Sequence, residues 1–470
     1  MSTPSPPKFR VAIVGAGIGG LLLALFLQKD APDVAVEIYE STAQLVEVGA
    51  GIGFWPRMWE MFIYLGLEDD LLKISGSQDG SALPVHYRKA DEPTTIEFHK
   101  LAPALRTLHR ADLQRLLAKN FHAGHIHFGK RLVRYDAPDT GTGPITLQFT
   151  DDTRADCEVL VGADGIRSAA RRSMYEAFAD EAGRNGEPEE AQRSLDMADP
   201  VWSREISYRG LVSAHKLAAL GFKDADLAVI DYDQLFGKNK HLMSYPICKG
   251  TLINIAAFVS FPTHEGEAQD SGPWVSAASA EDVVRAFEGW DPNVRTLLEA
   301  IERPVRWSIH ECHYLPTCVR DRVVLIGDAA HAMRPHQGAG AGQAMEDGFI
   351  LAAILAHASV SVKNLNQVLK VYDTLRRPAA QDIQRRSELN GTLYQLRSTG
   401  WEDVTEEQSQ AGGFSHEKLA DVGRQVERQM EWVLEGSVME ERRTAVEAVE
   451  RKLALTSLRD FEDNDAAYSE

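Results

Sequence analysis

Cysteine is scarce in this chain: four in 470 residues, Cys157, Cys248, Cys312 and Cys318, with no C-x-x-C pair among them. No histidine-rich spacing accompanies them, so a zinc site is not expected and no metal is assigned. A redox disulfide between Cys312 and Cys318 is the sharper alternative. Reduced thiols and a cytoplasmic location are the expectation, because no secretory segment is readable. Positive charge is also in deficit. Fifty Lys and Arg stand against 69 Asp and Glu, a formal net charge of −19, which argues against nucleic acid as a general partner and disfavours anionic membrane surfaces. Long apolar runs are lacking too. The best candidate, residues 11–27, holds 17 apolar or glycine residues before Gln28, Lys29 and Asp30. That is the lower limit for a membrane span and no small-residue cleavage pattern follows, so neither an anchor nor a leader is expected. No internal repeat or low-complexity tract appears. What remains, 44% hydrophobic and 25% charged, is the composition of a globular protein long enough for one composite unit or two to three domains.

The densest information lies in residues 9–40, FRVAIVGAGIGGLLLALFLQKDAPDVAVEIYE. Val11 and the three residues after it alternate too little for a half-exposed strand and read as a buried parallel one. The turn that follows is G-x-G-x-x-G, with Gly15, Gly17 and Gly20. The first glycine permits the tight turn, the second lets the backbone approach a pyrophosphate, and the third lets helix and strand pack closely. Leu21, Leu22, Leu25 and Phe26 continue as a helix whose N-terminal amides and dipole suit a diphosphate. Residues 34–39 return as a second buried strand, and Glu40 stands 20 residues beyond Gly20, where a carboxylate binds ribose hydroxyls. A lone glycine motif is weak; strand, turn, helix, strand and terminal acid together predict a bound dinucleotide.

Further along, residues 45–53, LVEVGAGIG, read as a loop that returns to the ligand, and residues 58–65 as a helix. Residues 85–98 alternate like a hairpin broken at Asp91, Glu92 and Pro93. In RTLHRADLQRLL, residues 106–117, Arg110 stands just before a helix and is placed to face an anionic ligand. Residues 132–149 carry two strand-like runs, and residues 157–161 form a buried strand opening into GADGIRSAAR, 162–171. The acidic stretch 175–200 reads as a surface insertion or linker. Residues 202–261 are strand-rich and are assigned to a sheet over a substrate; 280–301 read as helical and 304–313 as a strand. A last buried strand, 323–326, leads into GDAAHAMRPHQGAGAG, 327–342, and a helix over about 343–357. From residue 365 the pattern is mostly helical, and 460–470 is expected to fray.

Three remote stretches thus end a buried strand with glycine and acid, and in an open parallel sheet such ends can converge on one ligand. At this point residues 8–390 resemble the flavin-dependent aromatic hydroxylases of the hydroxybenzoate and salicylate hydroxylase type. Asp164, Gly165, Ser168 and Arg171 match the family's D-G-x-x-S-x-x-R element, and Gly327 with Asp328 its G-D element. AAHAMRPHQGAGAGQAMED, HRADL around Arg110 and YRG at 208–210 look like the salicylate branch, including Gly342 where other branches place asparagine. Arg57 departs from the pattern, which usually has asparagine there, and so do Cys248 and Lys249, where relatives often carry arginine.

The resemblance implies an α/β fold: a Rossmann-like, glutathione-reductase-type FAD-binding domain with an inserted β-sheet substrate domain and a helical C-terminal extension. Expected boundaries are 1–78, 106–176 and 313–390 for the FAD domain, 79–105 for a substrate-domain hairpin, 177–200 for the linker, 201–312 for the substrate sheet and 391–470 for the extension. It implies FAD held by Gly15, Gly17, Gly20, Glu40, Arg110, Asp164, Gly165, Gly327, Asp328, Pro335, Gly338, Ala339 and Gly340. The amides of Gly338, Ala339 and Gly340 would stabilise charge on the flavin edge. His336 is the candidate acceptor of a phenol proton, with His241, Tyr245 and Arg209 as weaker catalytic candidates and His331 as structural. The implied reaction is NAD(P)H- and O2-dependent hydroxylation of a phenolic acid through a flavin C4a-hydroperoxide, with loss of carbon dioxide if the carboxyl-bearing carbon is attacked. An FAD dehydrogenase or oxidase without oxygen insertion, and a flavin-bearing interaction protein, remain open alternatives. So do NADH against NADPH and the oligomeric state, for which a homodimer is one expectation.

Overall fold

The strand Arg10–Val14 is buried at four of its five residues because it lies inside a parallel sheet. It pairs in parallel with Ala35–Tyr39 on one side and Val159–Gly162 on the other, and Val159–Gly162 pairs in parallel with Val323–Leu325. Val319–Arg320 and Ile126–His127 complete the six-stranded sheet at its two edges. The computed structural model describes residues 6–45, 51–75, 81–138, 143–222, 231–261, 272–434 and 436–467. Helix Ile18–Asp30, apolar on every side, is sandwiched against helix Gly340–Ala356. Their close approach needs small residues: a Cβ on Gly19 would lie 2.9 Å from Ala344 Cβ, and one on Gly348 would lie 3.2 Å from Leu23 Cβ. The turns after Arg10–Val14, Val159–Gly162 and Val323–Leu325, together with Glu40, therefore lie together at the carboxyl ends of adjacent parallel strands.

A nine-stranded sheet stands beside it. Its order is Val275–Ala277, Val305–Glu311, Val201–Ser213, Leu252–Ser260, Lys240–Ile247, Tyr232–Gly237, Leu83–Lys89, Ile96–His109 and Gly51–Phe54. One face is covered by helices Ala280–Ala286 and Pro292–Glu299, with Ile206, Tyr208, Leu235, Leu242, Val283 and Leu298 in a common core. The period of two along each strand turns Glu205, Ser207 and Arg209, Tyr232 and Gln234, and His241, Met243 and Tyr245 to the opposite face. A small antiparallel sheet, Leu132–Asp136, Ile145–Phe149 and Arg154–Cys157, completes the strands.

The stretch 177–200, whose acidity suggests a linker, is largely helical. Helix Ala169–Arg184 runs through it, capped by Ser168, with Ala170, Met174, Tyr175, Ala179 and Ala182 forming a buried row among polar neighbours. Helix Pro188–Asp196 follows, with proline at its start and Glu189 and Glu190 in its first turn. Helix Leu365–Tyr394 touches strands of both sheets, His416–Met430 packs on strand Ile96–His109, and Val438–Ala467 packs on helices Gly340–Ala356 and Leu365–Tyr394. Among the described residues no helix is long and apolar enough to cross a membrane, and all four cysteines are free thiols.

Candidate active site

The glycine turn has a distinct geometric demand at each of its three positions. Gly15 has φ +109°, and a Cβ there would lie 2.2 Å from Ala163 O. A Cβ on Gly20 would lie 2.1 Å from Gly15 O, whereas one on Gly17 would meet nothing within 4 Å. Gly15 and Gly20 therefore serve the protein's own packing, and Gly17 faces an open cradle suited to a phosphate. Glu40 closes that cradle: its Oε2 accepts from Ala16 N–H at 2.8 Å, and its Oε1 from Thr42 N–H at 2.8 Å and the Ser41 and Thr42 hydroxyls. Burial alone would raise its pKa, but these hydrogen bonds hold it below the usual carboxylate range. Gln114 Nε2 donates to Ala16 O at 2.9 Å and ties helix Arg110–Asn120, which begins at Arg110, to the same turn.

At the second corner, Asp164 accepts from Ser168 Oγ at 2.5 Å and from the N–H groups of Ala169 and Ala170 at 2.8 and 3.1 Å. Its carboxylate caps helix Ala169–Arg184, and burial raises its pKa. Gly165 has φ +77° and open space around its missing Cβ. Arg171 is fully buried and donates to the carbonyls of Ile166, Ala198 and Ala329, bracing this corner against the third. There, Gly327 has φ +58° and its N–H donates to Asp347 Oδ2 at 2.9 Å. His331 Nε2 lies 2.6 Å from the same oxygen, a bracing contact below the site. Asp328 is exposed, with Oδ1 3.7 Å from where a Gly340 Cβ would be, at the start of helix Gly340–Ala356. Pro335 opens a 3-10 turn before it, Ala339 is buried, and Gly338, with φ +60°, is exposed with open space at its Cβ position. Three cradles that a Cβ would fill, at Gly17, Gly165 and Gly338, together with a helix start, fit a dinucleotide with a flavin. Of the glycine loop 45–53, residues 46–50 lie outside the described residues, and Gly51–Phe54 is a strand paired with His109 through Arg106.

Next to Gly338 is an aromatic pocket lined by Trp55, Tyr87, Tyr232, Gln234, Met243, Tyr245, His336, Tyr394 and Met430. Tyr232 and Tyr245 stack with centroids 5.2 Å apart, and a Cβ on Gly51 would lie 2.6 Å from Tyr245 Cε2. His336 Nε2 lies 2.9 Å from Glu205 Oε2, while its Nδ1 is buried with no partner among the described residues. His241 does not line the pocket. It stacks on Phe258 at 4.5 Å behind His336, and burial holds its pKa well below the ordinary value. Arg209 lies on the pocket side of the sheet, with its guanidinium 5.3 Å from the Trp307 ring centroid. Burial lowers its pKa, Tyr245 opposes that shift and Arg110 adds to it, so the three groups share one electrostatic neighbourhood.

Two features of the pocket's support are invisible at the level of motifs. Glu205 is an acid inside an otherwise buried strand, and its alternation with Ser207 and Arg209 is the signal that marks it. Arg57 faces away from the pocket: it pairs with Glu346 at 2.7 Å and with Glu441 of the C-terminal helix at 2.5 Å. A long cation there serves as a clasp for that helix, which explains its departure from the pattern.

A parallel sheet with three glycine-acid corners at the carboxyl ends of its strands, joined to a second sheet that roofs an aromatic pocket, defines a two-domain flavin-binding oxidoreductase. Residues 8–387 match the family described as FAD binding domain. A salicylate hydroxylase of Pseudomonas putida is 36% identical over 399 residues, covering 83% of this chain and 86% of the relative. An FAD-dependent monooxygenase of Strobilurus tenacellus is 29% identical over 95% of this chain and 99% of its own length. A solved salicylate hydroxylase substrate complex superimposes with a TM-score of 0.76 at 30% identity, covering 94% of this chain and 98% of that one. The chain belongs to the FAD-binding family and is an FAD-dependent aromatic hydroxylase.

Proposed function

We propose that this enzyme uses NAD(P)H and O2 to hydroxylate a small phenolic acid of the salicylate or hydroxybenzoate class. The observation that carries the reading is the junction between the open helix start at Gly338 to Gly340 and the closed aromatic pocket holding His336 and Tyr245. FAD, when bound, supplies the redox chemistry that delivers one oxygen atom of O2 to the ring. Gly15, Gly17 and Gly20 present the phosphate cradle, and Glu40 and Arg110 flank it. Asp164 and Gly165 shape the second wall, Gly327 and Asp328 the third, and Pro335, Gly338, Ala339 and Gly340 the flavin edge. Arg209 and Arg110 give the Tyr245 end of the pocket a positive potential that favours an anionic substrate. Stacked rings of Tyr232 and Tyr245 hold the arene, and the covering Tyr394 and Met430 exclude water. His336 takes the phenolic proton, which makes the ring electron-rich at the moment of attack. Four free thiols and dependence on a reduced nicotinamide favour a cytoplasmic setting, and a homodimer is the assembly to test by light scattering.

The deciding experiment is NAD(P)H consumption by the FAD-loaded protein against a panel of hydroxybenzoates, with products weighed by mass spectrometry under labelled oxygen gas. A product carrying one labelled oxygen is expected, and release of carbon dioxide would mark attack at the carboxyl-bearing carbon. Turnover without label would make the protein a dehydrogenase or oxidase, and the absence of any phenol-stimulated NAD(P)H oxidation would make it a flavin-bearing interaction protein.

A further inference from the structure

We infer that Glu205 is a positioning residue for proton transfer at His336: its carboxylate fixes the imidazole by the Nε2 edge and leaves Nδ1 to accept the phenolic proton. The inference rests on the reading of the pocket as a phenol site and deepens it by assigning the base its partner. Glu205 is 2% exposed and sits at the centre of the covering sheet, between the strands Leu252–Ser260 and Val305–Glu311. Its Oε1 is already occupied, accepting from Ser260 Oγ at 2.8 Å and Gln395 Nε2 at 3.2 Å. That leaves Oε2 aimed at His336 Nε2, 2.9 Å away. A carboxylate only accepts, so the proton of the neutral imidazole belongs on Nε2 and the lone pair on Nδ1. That Nδ1 is buried, has no partner among the described residues, and belongs to a side chain that lines the pocket. A buried acceptor left open in this way is paired in nearly every folded protein, and here the pocket's occupant is the available donor.

The ring has little freedom to turn. A Cβ on Gly391 would lie 2.3 Å from His336 Cδ2, so the imidazole lies against bare helix backbone, and His241 and Phe258 press on it edge to face at 5.0 and 5.5 Å. The surrounding charges isolate the pair. His241, on the next strand, is kept neutral by burial, and Arg334, on the flavin-facing loop, is paired with Glu311 and Glu388. Arg397 donates to Gln395 Oε1, and Tyr394 lies 5.4 Å from His241. Burial alone would raise the Glu205 pKa, but the facing His336 and the charge of Arg334 hold it well below the usual carboxylate range. Ser260, Gln395 and His336 all turn donors toward its two oxygens, the surroundings of a carboxylate.

The step balances without an oxidant. The phenolic O–H bond breaks, its electron pair stays on oxygen, and the proton forms the Nδ1–H bond. The new imidazolium then faces the Glu205 carboxylate, so the protein pair becomes net neutral as the substrate gains its negative charge. Removing the carboxylate would force an unpaired cation into a dry site, so His336 would be a weaker base and proton transfer would slow.

The test compares wild-type, Glu205→Gln, Glu205→Asp, His336→Asn and Glu205→Gln/His336→Asn holoenzymes, each with FAD content measured, using salicylate and a panel of hydroxybenzoates and simple phenols. Glu205→Gln should keep its flavin and lose about 10- to 100-fold in kcat/KM at pH 7, less than the ~100- to 10,000-fold a general base contributes, because the base itself remains. Its acid limb should move to lower pH, because an imidazolium without its carboxylate partner loses its proton more readily, while the plateau rate falls. Glu205→Asp, which keeps the charge, should hold the wild-type limb and decides the matter if the glutamine variant does not fold. The double variant should be no slower than His336→Asn within about threefold, because the two residues act as one unit. An unmoved pH profile in Glu205→Gln, or losses that multiply in the double variant, would overturn the inference. Wild-type protein inert to every phenol would instead overturn the substrate reading and this step with it, so the two failures are distinct.

Discussion

The indole N–H of Trp432 donates to Gln337 Oε1 at 3.0 Å, joining the C-terminal helical region to the loop that faces the flavin edge. Gln337 Nε2 in turn donates to Gln429 O at 3.1 Å, and Met430 beside it lines the pocket. The extension is therefore a wall of the site. Trp432→Phe keeps a ring and removes the donor, at a cost of about 1 kcal/mol. A small drop in melting temperature is expected, together with at least a doubling of hydrogen peroxide released per NAD(P)H oxidised. Unchanged coupling would make that contact a purely structural strut.

Gly17 and Gly20 separate ligand binding from folding. Gly17→Ala has open space and an extended backbone, so the apo protein should melt within roughly 0.5 kcal/mol of wild type, as for an unstrained surface change. Its flavin affinity should fall, because the added methyl occupies the phosphate cradle. Gly20→Ala places a methyl 2.1 Å from Gly15 O and should cost about 1–3 kcal/mol or more. Apo melting and flavin fluorescence titration distinguish the two.

Asp347 sets an acid limit on stability. Burial would raise its pKa, yet His331, Arg376 and the Gly327 N–H hold it at about 2, below the ordinary 3.8. A depressed folded-state pKa contributes stability that is complete above about pH 4 and is lost as the pH falls toward 2. That shift corresponds to about 2 kcal/mol. Asp347→Asn should therefore lower the melting temperature most at pH 7, and the gap to wild type should narrow at pH 3. A gap that is constant across that range would rule out the charge as its source.

Arg57 is the clasp for the last helix, bonded to Glu346 and Glu441. Arg57→Asn leaves Glu346 with Arg376 at 3.0 Å, so the loss should fall near the lower end of the ~3–5 kcal/mol typical of a broken buried pair. Urea unfolding would measure it. Limited proteolysis should also cut faster within helix Val438–Ala467. Cleavage at the wild-type rate would mean that the helix is held by its apolar contacts alone.

The part of the site most legible in the sequence is the part made by neighbours in the chain. Gly15, Gly17, Gly20 and Glu40 lie within one strand-turn-helix-strand unit, so spacing alone announces the cradle. The second and third corners were legible only through the family resemblance, and the pattern of Gly342 finds its cause in Met58, whose Cε would lie 2.1 Å from an added Cβ. What escaped was long-range. Glu205 and His336 are 131 positions apart and meet only because a strand and a loop from different domains converge. The turning inward of Asp164 and Glu40 onto backbone amides is equally hidden, since composition says that an acid is present and not which donors it will satisfy. The helices within 177–200 were masked by acidity: five buried small or apolar residues suffice to dock a helix whose remaining face is polar.

The first flavin corner is made at the N-terminus, but the strand that completes its sheet is Val323–Leu325 and the helix packed on its turn is Gly340–Ala356. A nascent chain emerging from the ribosome must therefore carry its glycine turn unfinished until most of the polypeptide has been made. Cofactor loading is consequently expected late in synthesis, and a chain that ends before residue 323 is expected to hold no flavin.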